Sequence, residues 1–276
     1  MKAQSVIKET VGHLGEEMGL PASWDIEELV SQETKRHVRK QEETDKALLE
    51  RMQTLVNETY WGWGGLGKQT RTRDRKSEKI PDHLEVTSVV HVQNAESYVN
   101  YNAKRAAITA KLVGSPIKTD WDVKTSKVSL EDAGRHGAKL NKDINEVYLW
   151  HGTSPKGALN ITDTDFDLKL SGSAYGSLFG AGVYFAESCM KADEYTISDK
   201  RGWRPFILCR VVLGRIHYCD APDPTKSGKT LEQSCTVGGY DSVLGDREKV
   251  RMTFREFVVF DGHQIYPEYI VWYQRK

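Results

Sequence analysis

The sequence predicts an α+β fold of mainly antiparallel strands with short helices, preceded by a helical N-terminal segment, and three observations predict it. From Val147 onward the apolar residues come in short β-type runs: Val147 to Trp150, Gly182 to Ala186, Phe206 to Leu213, Phe254 to Phe260 and Tyr269 to Tyr273. Between these runs helices are short and few, which is the composition of an α+β domain built on antiparallel strands. Upstream, from Asp25 to Asn57, the chain is strongly charged and places Leu48, Met52, Leu55 and Val56 at three- and four-residue spacing, the mark of an amphipathic helix.

The elements follow in order from these signals. After the helix, Trp61-Gly-Trp-Gly-Gly-Leu-Gly67 and the basic run Lys68 to Lys76 combine helix breakers with charge and read as a solvated linker. The boundary falls near Pro81, dividing residues 1–80, a helical and linker segment, from residues 81–276, the main domain. That domain opens with a strand from Leu84 to Val92, then a helix capped by Asn94 and carrying Tyr98, Tyr101, Ile108 and Leu112 on one stripe. Residues 114–142 are polar and weakly patterned, with a short helix expected around Ser129 to Arg135. Ser154-Pro155 supplies an N-cap with proline at the first helical position, and Glu187 to Ser198 has helical composition directly after a strand.

Bulk properties narrow the function. With 276 residues, 38% of them hydrophobic, the chain can bury a large core. Thirty-nine basic residues against 39 acidic ones give no global pull toward nucleic acid or an anionic membrane, so neither is an expected partner. Cys189, Cys209, Cys219 and Cys235 form no Cys-x-x-Cys and no finger-like pairing with histidine, so free thiols and no metal are expected. The N-terminus lacks the apolar core of a signal peptide and no run approaches the ~20 apolar residues that span a bilayer, so the expected location is intracellular.

The chemistry is expected where polar groups interrupt apolar strands, because a desolvated imidazole or carboxylate without partners costs kilocalories and such exceptions line cavities. His151 leaves the strand Tyr148-Leu-Trp150 just before Gly152; taken alone, a structural histidine explains it. Tyr184 lies between Val183 and Phe185 behind Gly180-Ala-Gly182; alone, a core tyrosine explains it. Glu268 stands in the aromatic row Tyr266 to Tyr273, either as a strand-end glutamate in water or as a catalytic carboxylate. Glu256 is its rival in the preceding strand, ranked lower because Arg251 and Arg255 nearby account for it as a surface ion pair. The cluster Gly176 to Gly182 precedes a strand, which is the wrong order for a dinucleotide-binding fingerprint; it suits either a loop folded over a ligand or plain turn chemistry.

Taken together, His151-Gly-Thr153, Phe179-Gly-Ala-Gly-Val-Tyr184-Phe-Ala-Glu187 with Tyr195 downstream, Leu208 to Gly214, and Tyr266-Pro-Glu-Tyr-Ile-Val-Trp-Tyr-Gln274 resemble the poly(ADP-ribose) polymerase catalytic domain, the last segment especially that of the tankyrases. The resemblance covers about Leu84 to Gln274. It implies an ADP-ribosyltransferase-type fold and an enzyme that cleaves the nicotinamide glycosidic bond of NAD, its cosubstrate, and transfers ADP-ribose to a protein acceptor, the chain itself among them, with chain extension slightly favoured.

It also implies roles. His151 would bond the adenosine ribose, Gly152 would hold the nicotinamide carboxamide through its backbone, Thr153 would complete that motif, and Tyr184 and Tyr195 would sandwich the nicotinamide ring. Glu268 would face the nicotinamide ribose, completing a His151–Tyr184–Glu268 triad and deciding against Glu256. Tyr175 falls in the family's donor-site loop. Ala192 stands where the family commonly has a serine touching the amide, and the zinc-binding cluster of tankyrases is missing. That departure leaves a non-catalytic NAD or ADP-ribose binding module as the competing expectation.

Overall fold

A computed structural model of the chain describes residues 19–21, 24, 26, 29, 38–60, 78–130, 139–171, 178–221 and 228–276. The expected linker, the helix around Ser129 to Arg135 in all but its first two residues, and Tyr175 lie outside the described residues.

One nine-stranded sheet organises the fold, in the order β1-β2-β9-β5-β3-β4-β8-β7-β6. In chain order its parts are β1 (Val38–Glu42), α1 (Lys46–Tyr60), β2 (Leu84–Asn94), α2 (Ala95–Leu112), β3 (Glu146–Gly152), α3 (Pro155–Thr164), β4 (Val183–Ala186), α4 (Cys189–Asp193), β5 (Arg204–Val212), β6 (Ile216–Cys219), α5 (Lys229–Thr236), β7 (Ser242–Gly245), α6 (Arg247–Arg251), β8 (Glu256–Val259) and β9 (Ile265–Arg275). Every pairing is antiparallel except β6 with β7. The α+β class expected from the short apolar runs is the class observed.

Local signals hold in the folded chain. Asn94 caps α2 by accepting from the Ser97 amide at 3.1 Å, and Ser154 caps α3 by accepting from the Gly157 amide at 3.0 Å, with Pro155 at the first turn. The stripe Leu48, Met52, Leu55 and Val56 is buried and joins a core that includes Trp150, Leu208 and Tyr273.

Two expectations about the N-terminal segment need correction. Residues 25–57 are not one helix, because Val38–Glu42 is a strand whose five residues pair with Asn94 back to Val90 of β2. Val38-Arg-Lys-Gln-Glu has no apolar stripe to hold a helix down, whereas the edge of β2 offers unpaired backbone groups, and a charged sequence suits an outermost strand. Nor does a boundary near Pro81 separate two bodies among the described residues. Besides β1, α1 packs behind the sheet: Trp150 Nε1 donates to Thr59 Oγ1 at 3.0 Å and Ser188 Oγ to the Thr59 carbonyl at 2.8 Å.

Two irregularities of the sheet determine where polar side chains fall. First, β3 and β4 share one register pair, Trp150↔Ala186, and then part. Second, β9 carries a bulge, since Leu208 faces Tyr269 while Cys209 faces Pro267, leaving Glu268 as the extra residue. Proline, which has no amide hydrogen for the ladder, sits where the ladder breaks.

Candidate active site

The parting of β3 from β4 makes a gap with His151 and Gly152 on one lip and Tyr184 on the other. Had the ladder continued, Gly152 would face Tyr184; instead the two lips are linked by a side chain, His151 Nδ1 to the Tyr184 carbonyl at 3.0 Å. That carbonyl can only accept, so Nδ1 carries the proton. The ring packs on Phe166 and Phe185, and burial pushes its pKa down, which keeps the imidazole neutral. A neutral ring protonated at Nδ1 presents Nε2 as an acceptor for a ligand hydroxyl.

The glycines around the gap are explained by packing more than by a ligand. A Cβ on Gly152 would lie 1.8 Å from the Ala192 carbonyl oxygen, so α4 can lie against the end of β3 only if residue 152 has no side chain. Gly180 has φ +102, and its neighbour Gly228 crosses so closely that a Cβ there would meet Gly180 N at 1.8 Å. Tyr184 is tied to the same loop, accepting from the Phe179 amide and donating to the Gly180 carbonyl, both at 2.9 Å.

A carboxylate does stand beside this gap, and it is Glu256. It faces Ala186 across β4 and β8, placing it in the same row as Trp150 and diagonal to Tyr184. Its Oε1 accepts from Arg247 Nη1 at 3.0 Å and lies 3.3 Å from Lys191 Nζ, and the residue is 5% exposed. Lys191 also reaches Glu194 at 2.7 Å and the Tyr195 hydroxyl at 3.2 Å, with its ammonium 4.9 Å from the centre of the Tyr195 ring. Burial alone would depress the Lys191 pKa, but the charges of Glu256 and Glu194 act the other way and the net shift is upward. Burial drives up the pKa of the Tyr184 hydroxyl, and the nearby Glu256 charge raises it further. Tyr195 itself is 58% exposed, open to stacking by an incoming ring.

Glu268 is elsewhere, which corrects the expected triad. β9 and β4 are separated by β5 and β3, so Glu268 and Tyr184 lie three strand spacings apart, roughly 14 Å at the usual inter-strand distance. Glu268 is 1% exposed and is occupied by its own partners: Arg210 Nε and the Tyr148 hydroxyl each donate to Oε2 at 2.6 Å. These join a second buried pair in which Tyr101 and Arg105 donate to Glu146 at 2.7 and 2.8 Å, with Arg210 3.8 Å from Glu146. Two acids and two arginines balance there, a structural network deep beside the α2 helix.

Part of the reason for ranking Glu256 below Glu268 also fails; it named Arg251, whose side chain lies outside the described residues, and Arg255. Arg255 does not neutralise Glu256. Successive strand residues point to opposite faces, and the Arg255 guanidinium grips Glu187 through Nε and Nη2, both at 2.7 Å. Glu187 is fully buried and also accepts from the Lys124 amide at 2.8 Å. Lys191 and Arg247 have no sequence signal linking them to Glu256, because it takes the pairing of β4 with β8 to bring the first and that of β7 with β8 to bring the second. Thr153 follows β3 and is half-buried against α3, where a Cβ on Gly157 would meet its Oγ1.

Among the described residues no group of three or more His, Cys, Asp or Glu side chains could hold a metal ion, and no helix is long and apolar enough to cross a membrane.

Comparison with known proteins identifies the family of the chain. The model of the poly(ADP-ribose) polymerase catalytic domain matches residues 65–275. The chain is similar to mouse protein mono-ADP-ribosyltransferase PARP11, 31% identical over 164 residues that cover 50% of this chain and 46% of that protein. Mouse protein mono-ADP-ribosyltransferase PARP12 is 32% identical over 135 residues, 48% of this chain and 17% of that protein. Poly [ADP-ribose] polymerase 1 of Arabidopsis thaliana is 26% identical over 234 residues, 73% of this chain and 22% of that protein. The chain thus spans less than half the length of each of these relatives. With its match running through both lips of the gap and through Glu256, the chain belongs to the poly(ADP-ribose) polymerase catalytic domain family.

Proposed function

We propose that the chain is an NAD-dependent ADP-ribosyltransferase that releases nicotinamide and transfers ADP-ribose to a protein acceptor, itself included. One observation carries this reading: the gap between β3 and β4 gathers His151, Gly152, Tyr184 and Tyr195 with a carboxylate, Glu256, one strand away. His151 Nε2 accepts from a ribose hydroxyl of NAD. Tyr195 and Tyr184 bracket the flat nicotinamide ring, whose cationic charge suits aromatic faces. The C1′–N bond breaks with its electron pair leaving on nicotinamide, which needs no acid because the ring departs neutral. The acceptor oxygen forms the new C1′–O bond and gives its proton to Glu256, whose negative charge also steadies the oxocarbenium character of the sugar. Glu256, in place of Glu268, is the residue assigned to that role.

Labelled NAD tests the proposal. Label fixed to protein with stoichiometric nicotinamide release supports transfer; saturable binding without release supports the binding-module reading, which the missing hydroxyl at Ala192 favours. Product length is the finer question. The likeness to mono-ADP-ribosyltransferases weighs toward single units, whereas a carboxylate able to take a proton from an incoming ribose hydroxyl weighs toward extension. Sizing the automodified product decides, since a ladder requires extension.

A further inference from the structure

Arg247 begins α6, the single turn that Asp246 caps by accepting from the Lys249 amide at 3.2 Å. Its Nη1 donates to Glu256 Oε1 at 3.0 Å, and Lys191 Nζ meets the same oxygen at 3.3 Å. The side chains of Arg247 and Glu256 are 15% and 7% exposed, so water screens the pair little. Glu256 stands at the start of β8, in the last register pair with both Ala186 and Gly245. Backbone pairing therefore fixes where its Cα is but not how its carboxylate plane is turned.

Lys191 cannot set that plane alone. Its ammonium is a point charge shared with Glu194 at 2.7 Å and the Tyr195 hydroxyl at 3.2 Å, so it constrains distance and not orientation. Arg247 reaches Glu256 through Nη1 alone, but the planar guanidinium fixes the direction of that N–H, so the bond aligns Oε1 in a way a freely rotating ammonium does not. Both cations converge on Oε1, which leaves Oε2 for a substrate hydroxyl.

We infer that Arg247 is a positioning residue for transfer, holding Glu256 by Oε1 so that Oε2 meets the ribose whose glycosidic bond breaks. This rests on the reading of Glu256 as the reacting carboxylate.

The test uses the full chain with Arg247→Met, Arg247→Lys, Glu256→Gln and the double variant Arg247→Met/Glu256→Gln, each assayed for nicotinamide release across NAD concentrations and for thermal unfolding. A lost charge-assisted hydrogen bond of this kind corresponds to a kcat per folded molecule, measured below the melting transition, lower by about tenfold in Arg247→Met, with KM for NAD close to the parent. Arg247→Lys recovers part of kcat, and Arg247→Met causes no further loss once Glu256 is glutamine, because its effect runs through that carboxylate. An unchanged kcat, a raised KM with kcat intact, a lysine variant no better than methionine, or losses that add in the double variant would each overturn the inference. Glu256→Gln turning over at the parent rate sinks instead the reading of Glu256 itself, and the inference with it.

Discussion

Replacing Glu268 by glutamine separates structure from catalysis in this molecule. The carboxylate is buried and takes both the Arg210 guanidinium and the Tyr148 hydroxyl on one oxygen. Glutamine keeps the shape but removes the charge that faces Arg210, and Glu146, the other acid described beside that guanidinium, is 3.8 Å away and already held by Tyr101 and Arg105. Breaking a buried pair by removing one partner costs about 3–5 kcal/mol, which for a chain of this size lowers the melting temperature by about 6–20 °C. Replacing the whole set by apolar groups of similar volume, Glu268→Met with Arg210→Met and Tyr148→Phe, removes the Arg210 charge as well and recovers most of that loss. Calorimetry gives the melting temperatures, and nicotinamide release below the transition gives activity per folded molecule, expected within about threefold of the parent for both variants. A Glu268→Gln protein that melts normally yet fails to release nicotinamide would refute the reasoning and restore Glu268 to the reaction.

The same geometry sets other outcomes. Glu256→Gln lowers turnover by about a hundredfold while NAD still binds, measured by calorimetric titration beside a kinetic assay. His151→Ala weakens NAD binding by about tenfold or more, because the acceptor Nε2 is lost; a normal titration curve would count against it. Burial holds the folded-state pKa of His151 below its free value of 6.5, so the unfolded chain binds the proton first. His151 therefore costs stability progressively as pH falls through 6.5 toward its folded value, and the slope of melting temperature with pH over that window shrinks in His151→Ala. Tyr195→Ala raises KM for NAD by about two- to twelvefold, the worth of one aromatic contact. Gly152→Ala destabilises by about 1–3 kcal/mol, since its methyl group meets the Ala192 carbonyl.

Much of the architecture was legible because local chemistry and tertiary context agreed. The Asn94 and Ser154 caps, the stripe on α1 and the β-type runs each needed only neighbours in sequence. What escaped depended on partners far along the chain. β1 has no pattern of its own and becomes a strand because β2 offers an edge. The bulge at Glu268 breaks strict alternation along β9, so the side on which that acid falls could not be counted off from Tyr266. Arg255 looked like the partner of Glu256 because it is adjacent in sequence, which in a strand is the position that points away. The lips of the gap, His151 and Tyr184, were visible as polar exceptions in apolar runs; the acid that joins them required knowing that β8 lies against β4.

Where β3 leaves β4 the ladder keeps a single rung, yet the hydrophobic packing runs unbroken across the seam, with Leu149 and Ile207 on one side and Val183, Phe185 and Phe257 on the other in one cluster. A dinucleotide seated along that seam would act as a clasp. At a free concentration one hundred times its dissociation constant it would contribute about 2.7 kcal/mol against unfolding. The parted ladder thus leaves backbone groups for a ligand to meet while the side-chain core behind it stays whole, so a site is opened in the sheet without dividing the fold.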